Sequence, residues 1–322
     1  MSFLDIPHSM ILPENVQKGG LSKYDNIYLI LGESASGRHF SHNHPKNNTT
    51  PFINSMLGND NFYWVEKAIS PAPITREALK RVLTFATANQ ADDYFDKINI
   101  IDAANNKGFS TYWISTQAKL GIHNTSTYRT SLSSNYGNFE LDDDLSIPRE
   151  LEKIPKIEGK KFIISHFSGS HGPYNNYIES DYMKLNEQNN VDARYDATIR
   201  KTDRVLKKII NSLPKNTLLI FLSDHGEAVG FGHGLIIPSR DQFDIPLFVY
   251  DNSGHIDDIK SAIDDYSKDG YFNSQRVMEI LMKSLGYTVY LDSHIDDVFD
   301  VFFINGKIYD YRKIRDAFRR FR

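Results

Sequence analysis

The chain has 322 residues, enough to bury a full core and a fit to one large α/β domain at least as good as to two small ones. Its 37 basic and 41 acidic residues leave a net charge of −4, which gives no whole-protein argument for nucleic acid as a partner. Cysteine is absent, which excludes disulfides, a thiolate metal site and a cysteine nucleophile, and no run approaches the ~20 apolar residues that span a bilayer.

Residues 1–24 read as a polar, irregular lead-in without a signal-peptide pattern, followed by one domain over 25–322. Asn26–Gly32 (NIYLILG) is a short apolar run with a glycine stop and predicts a buried strand, and Ser34–Thr50 predicts a loop rich in His, Asn and Ser. After Pro71-Ala72-Pro73, the run Thr75–Thr87 has apolar residues at helical spacing, so Thr75 sits near a helix N-terminus. A helix over Lys97–Lys107 and a strand over Phe109–Ser115 follow, then a polar, irregular excursion over Gln117–Lys156. Strands at Lys161–Ser165 and Leu218–Leu222 bracket a helical period over Tyr195–Leu213. A strand at Asp244–Tyr250, a helix at Ser274–Leu285 and a hairpin turning at Asn305-Gly306 within Val298–Tyr309 complete the order. Strands alternating with helices predict a mostly parallel sheet with helices on both faces.

Residues that carry chemistry fall at the ends of these elements. Leu218–Gly234 reads LLIFLSDHGEAVGFGHG: an apolar strand stops at Asp224-His225, and His233 follows. Ligands of open α/β folds bind at the carboxyl ends of strands. Glu33 follows the first strand, Thr75 opens a helix, and His171 follows Lys161–Ser165. Taken singly, Glu33 reads more readily as a cap or a solvated residue and Thr75 as an N-cap. Together, Glu33, Thr75, Asp224 and His225 form a sensible zinc shell of oxygen and nitrogen donors. Zinc would lower the pKa of the Thr75 hydroxyl, and a helix N-terminus there suits a phosphate. His171 and His233 are placed to bind a second metal or to donate a proton to a leaving group. His39, His42 and His44 crowd one loop, which reads as solvated.

Four segments carry a family resemblance: NIYLILGESASGRHFSHNHPKNNTTPFINSM, SPAPITREALKRVL, ISHFSGSHGPY and FLSDHGEAVGFGHG. In order and spacing they resemble the phosphoethanolamine transferases, in the sulfatase-like branch of the alkaline phosphatase superfamily, over about Asp25 to Tyr287. The resemblance implies an alkaline-phosphatase-like α/β/α sandwich and one zinc ion, or two, with Glu33, Thr75, Asp224 and His225 as ligands. It further implies Thr75 as the nucleophile that carries phosphoethanolamine covalently, with His171 and His233 at a second zinc or the phosphate. Lys119 reads as a solvated lysine or as a contact to the phosphate, and Tyr174 and Tyr177 read as lining the donor pocket or as packing residues. The implied donor is phosphatidylethanolamine and the acceptor a lipopolysaccharide, a lipooligosaccharide or another envelope glycan. The implied setting is a monomer on the periplasmic face of the inner membrane, tethered by an anchor outside this sequence; a chain complete as written would act in the cytoplasm.

This sequence departs from the family in lacking cysteine, where members that modify lipid A carry disulfides. A phosphoglycerol transferase or a phosphodiesterase would use the same shell, and an inactive scaffold domain would be expected to have lost part of it. Sulfatase activity is disfavoured, because SPAPITRE stands where sulfatases carry Cys/Ser-x-Pro-x-Arg. The C-terminal YRKIRDAFRRFR is basic enough to lie on anionic lipid and reads equally as a solvated helix.

Overall fold

In the computed structural model, which describes residues 8–119, 125–155, 159–187, 190, 192–291 and 297–317, the apolar runs form the middle of one seven-stranded sheet. Its strands are β1 (Asn26–Gly32), β2 (Phe62–Trp64), β3 (Phe109–Ser115), β4 (Tyr136–Asn138), β5 (Lys160–His166), β6 (Thr217–Ser223) and β7 (Leu247–Asp251). They lie in the order β2-β7-β6-β1-β5-β3-β4. The sheet is mixed: β7 runs antiparallel to both its neighbours, and every other pair is parallel.

β1 is buried along its whole length, which is why it reads as a continuous apolar run. Ile27, Leu29 and Leu31 point into one core, Tyr28 and Ile30 into the other. The first core is closed by α1 (Thr75–Val82), α2 (Ile100–Asn106), α4 (Ile256–Asp265) and α5 (Val277–Ser284), and the second mainly by α3 (Ala193–Ser212). The result is the expected α/β/α sandwich. A separate small core of Phe243, Phe299, Val301, Phe303, Tyr311 and Ile314 fastens the predicted hairpin, β8 (Asp300–Phe302) with β9 (Ile308–Asp310).

Several boundaries differ from expectation. α1 ends at Val82 rather than Thr87, because the Thr84 hydroxyl donates to the Lys80 carbonyl and then accepts from the Ala86 amide, diverting the backbone from the helix. The excursion after Gln117 is not irregular throughout: it contains a helix at Thr125–Ser131, the edge strand β4 and a helix at Ile147–Glu152. In the lead-in, Val16–Gln17 pairs with Thr288–Val289. Residues 1–7, Lys156 and the last basic residues, Arg319, Arg320 and Arg322, lie outside the described residues.

Candidate active site

The parallel register puts the carboxyl ends of β3, β5, β1 and β6 side by side. Glu33 leaves β1 and Asp224-His225 leave β6, one position beyond the paired Gly32 and Ser223. Two contacts hold this corner. The Tyr195 hydroxyl, from α3, donates to the Ser34 carbonyl and accepts from the Ser36 amide, both at 2.7 Å. Gly169 has φ +51°, and a Cβ there would stand 2.6 Å from the Glu33 carbonyl oxygen, so only glycine fits the close approach.

Glu33, Asp224 and His225 are all buried, and one donor atom from each lies within 4.8 Å of the others. His225 Nε2 is 3.3 Å from both Glu33 Oε1 and Asp224 Oδ2. Its Nδ1 lies 2.9 Å from the Gly226 carbonyl, which fixes Nδ1 as the protonated nitrogen and leaves Nε2 to face the carboxylates. Thr75 is the first residue of α1. The N-cap is Ile74, which offers no side-chain acceptor, so the Thr75 hydroxyl is not spent on capping. Thr75 Oγ1 instead donates to Glu33 Oε2 at 3.1 Å and lies 3.3 Å from His225 Nε2.

Every acceptor of the carboxylates is accounted for except one. Glu33 Oε1 accepts from the Ser34 hydroxyl (2.7 Å) and Oε2 from Gln117 Nε2 (3.1 Å). Asp224 Oδ1 accepts from the Ser34 and His225 amides. Asp224 Oδ2 is buried without a hydrogen-bond partner, and it faces the other donor atoms. A bare buried carboxylate oxygen is costly unless a cation completes it, so this donor set fits a metal ion. The electrostatics agree. Burial raises Glu33, but the hydrogen bond and charge of His225 outweigh it and hold the carboxyl well below its usual range. Asp224 is pushed up to about 7 by burial and then by the Glu33 charge. Burial would lower His225, yet Asp224 and Glu33 together raise it to about 10. Two carboxylates thus hold a proton where a cation would sit.

His233 stands beside this cluster, its ring 4.4 Å from that of His225 and 5.1 Å from that of His171. His233 Nδ1 pairs with Glu227 Oε2 at 2.8 Å, and the Tyr174 hydroxyl donates to Glu227 Oε1 at 2.6 Å. His225, Glu227 and His233 form a second group of convergent donor atoms. His171 is exposed and bonds the Gly172 carbonyl through Nδ1. Six of the eight residues expected at the site therefore share one face, and Tyr174 borders it through Glu227. Lys119 is exposed, with its ammonium over the Phe139 ring and no hydrogen bond to the cluster among the described residues.

Within the histidine loop, His44 is exposed as expected, but His39 is not solvated. His39 Nδ1 pairs with the buried Asp196 at 2.6 Å and its ring meets Tyr195 edge-on, while His42 pairs with Glu66. Sequence reasoning missed Gln117, Tyr195, Glu227 and Asp144. Asp144 accepts from the Ser168 and Gly169 amides and so holds the approach to His171. Gln117 had a usable signal in its position just past a strand end, and Glu227 in the motif S-D-H-G-E.

The Sulfatase family pattern matches residues 25–274. The chain belongs to the sulfatase family. Within it, the chain is 27% identical over 261 residues to phosphoethanolamine transferase EptA of Helicobacter pylori, covering 70% of this chain and 47% of that protein. It spans about half the length of the curated relatives it matches. Its fold is that of the C-terminal periplasmic domain of Escherichia coli EptC in complex with Zn, with TM-score 0.78, 19% identity and coverage of 96% and 97% of the two chains. It also resembles the integral membrane lipooligosaccharide phosphoethanolamine transferase A of Neisseria meningitidis, with TM-score 0.67, 17% identity and coverage of 88% and 59%. Among the described residues, no helix is long and apolar enough to cross a membrane.

Proposed function

We propose that this chain is the catalytic part of a zinc-dependent phosphoethanolamine transferase, moving phosphoethanolamine from phosphatidylethanolamine to an envelope saccharide or lipid through a phospho-Thr75 intermediate. The observation that carries the reading is the Thr75 hydroxyl, first in its helix, within reach of Glu33 and His225 and beside the bare Asp224 Oδ2. Glu33, Thr75, Asp224 and His225 would hold the ion, and zinc so bound supplies Lewis acidity that favours the threonine alkoxide.

The remaining chemistry belongs to the side chains. Thr75 Oγ1, oriented by its hydrogen bond to Glu33, attacks the donor phosphorus as its proton is released to water. The bond from phosphorus to the diacylglycerol oxygen breaks, and that oxygen takes a proton from His171 or His233, each of which has one ring nitrogen committed and one left. Glu227, braced by Tyr174, orients His233. The acceptor hydroxyl then attacks the same phosphorus, giving its proton back to the histidine that protonated diacylglycerol, and the bond from phosphorus to Thr75 Oγ1 breaks, Oγ1 taking up a proton from water. The N-terminus of α1 places partial positive charge and backbone amides beside the phosphate in both steps. The names of the relatives and the zinc complex of the E. coli EptC domain support this reading and a periplasmic setting.

Intact mass spectrometry tests it. Wild-type protein incubated with zinc and phosphatidylethanolamine is expected to gain one phosphoethanolamine, and Thr75→Ala none. Diacylglycerol or phosphatidic acid release without an adduct on a zinc-loaded protein would replace the covalent transfer with direct hydrolysis.

A further inference from the structure

The loop that carries His233 continues into the most exposed apolar side chains near the site. Ile236 is 86% and Ile237 58% exposed. Their exposure is built in. The carboxamide of Gln242, fully buried, accepts from the Leu235 amide at 2.9 Å and donates to the Ile237 carbonyl at 3.1 Å, clamping the backbone on both sides of Ile236. Gly234 stands against the Ile74 and Ile304 side chains, so the tip of the β8–β9 hairpin, with Ile304 38% exposed, borders the same rim next to Thr75.

Cationic residues lie on the segments tied to this loop. The segment Arg312–Ala317 is tied to the loop's base: Arg240 bonds the Ile314 and Arg312 carbonyls through its guanidinium, and the Ala317 amide donates to Ser239. Lys313 and Arg315 are exposed on it, and Lys307 on the hairpin. The nearby carboxylates Asp241, Asp244 and Asp316 are turned onto Arg38, and Asp310 onto Arg312. Arg240, Lys307, Lys313 and Arg315 have no ion pair among the described residues.

Fixed exposed isoleucines with cations on the adjoining segments fit the interface of an anionic bilayer, where the apolar tip enters the headgroup boundary and the cations meet lipid phosphates. We propose that this face, Ile236 and Ile237 with Arg240, Lys307, Lys313 and Arg315, docks on an anionic phospholipid surface and presents Thr75 to it. The proposal deepens the lipid-donor reading above by naming how the site meets its membrane.

Flotation of the full chain with vesicles tests it. Phosphatidylglycerol/phosphatidylcholine vesicles contain no phosphatidylethanolamine, so binding to them is separate from donor recognition at Thr75. Wild type is expected to float with these vesicles at low salt and at least tenfold less with pure phosphatidylcholine. Ile236→Ser/Ile237→Ser is expected to lose at least tenfold, and Lys313→Glu/Arg315→Glu to lose the salt-sensitive part, both with unchanged melting temperature. Binding together with absent Thr75 adduct would sink the transferase reading and leave the docking face standing. Failure of wild type to bind, full retention by both variants, or a dimer that the isoleucine variant dissolves would overturn the proposal.

Discussion

His166 offers a sharp test of how the core beneath the site was built. It is the last residue of β5, 2% exposed, with its ring edge-on to Trp113 and its Nε2 without a hydrogen-bond partner. Burial lowers its pKa to about 4, only partly offset by the Glu33 carboxylate. In the unfolded chain the imidazole takes up its proton near 6.5, whereas the folded protein resists until about 4. Between those values the unfolded state binds more protons, so stability falls as pH falls; it is fully present above about 6.5 and lost as pH drops toward 4. The interval would amount to about 3 kcal/mol, of which ~2 kcal/mol is already gone at pH 5.

The perturbation is His166→Gln, which keeps a polar side chain but cannot titrate. Urea unfolding of both proteins, with chelator present, at pH 7.5 and pH 5 gives the difference of interest. Because the substitution also changes packing, only the pH dependence counts. The wild type should lose ~2 kcal/mol more than the variant between the two pH values. A difference under about 0.5 kcal/mol would mean that His166 is hydrated or protonated in the fold, and the burial argument would be wrong.

Three further outcomes are expected. Gln117→Leu removes the amide that orients Glu33 and should lower activity or zinc affinity about 10–100-fold with little change in melting temperature, read by steady-state rates and competition with a zinc chelator. Arg38→Met strands Asp241, Asp244 and Asp316 and should cost ~3–5 kcal/mol in urea unfolding. Zinc at about 100 times its dissociation constant should stabilise the wild type by ~2.7 kcal/mol, and calorimetry of Asp224→Asn should show that shift abolished.

What was legible in the sequence follows from what each residue touches. β1, β5 and β6 are buried on both faces and announce themselves as apolar runs; α3 shows a helical period because one side meets the core. β2 and β4 have three residues each, too few for a period, and exist because the sheet edge accepts them. α4 was not assigned although Ile256, Ile259 and Ile263 recur at helical spacing, because its acidic residues give the segment the look of a loop. In the site, Glu33, Asp224 and His225 were readable as strand ends. Tyr195 was not, since it acts on residues 159–161 positions away, and Gln117 offered only its place just past a strand end, with its partner Glu33 84 positions away. The same distance hid Asp196 as the partner of His39.

The site's supporting contacts show why a buried, charge-crowded cluster survives in this fold. Nearly every oxygen of Glu33 and Asp224 is tied to the turn after β1 or to the strand ends around it, so neither carboxylate can swing away to solvent. Turning Asp224 Oδ2 outward would break the two amide bonds that Oδ1 makes, and the protein instead keeps one oxygen bare and raises His225 to hold a proton. That arrangement lowers the stability of the metal-free fold, because two buried carboxylates and an imidazolium are desolvated together. At the zinc shell proposed above, it would also fix the donor atoms before a cation binds, so binding energy would not be consumed in ordering them. In the proposed reading, a cation bound there would relieve this cost beside the Thr75 hydroxyl.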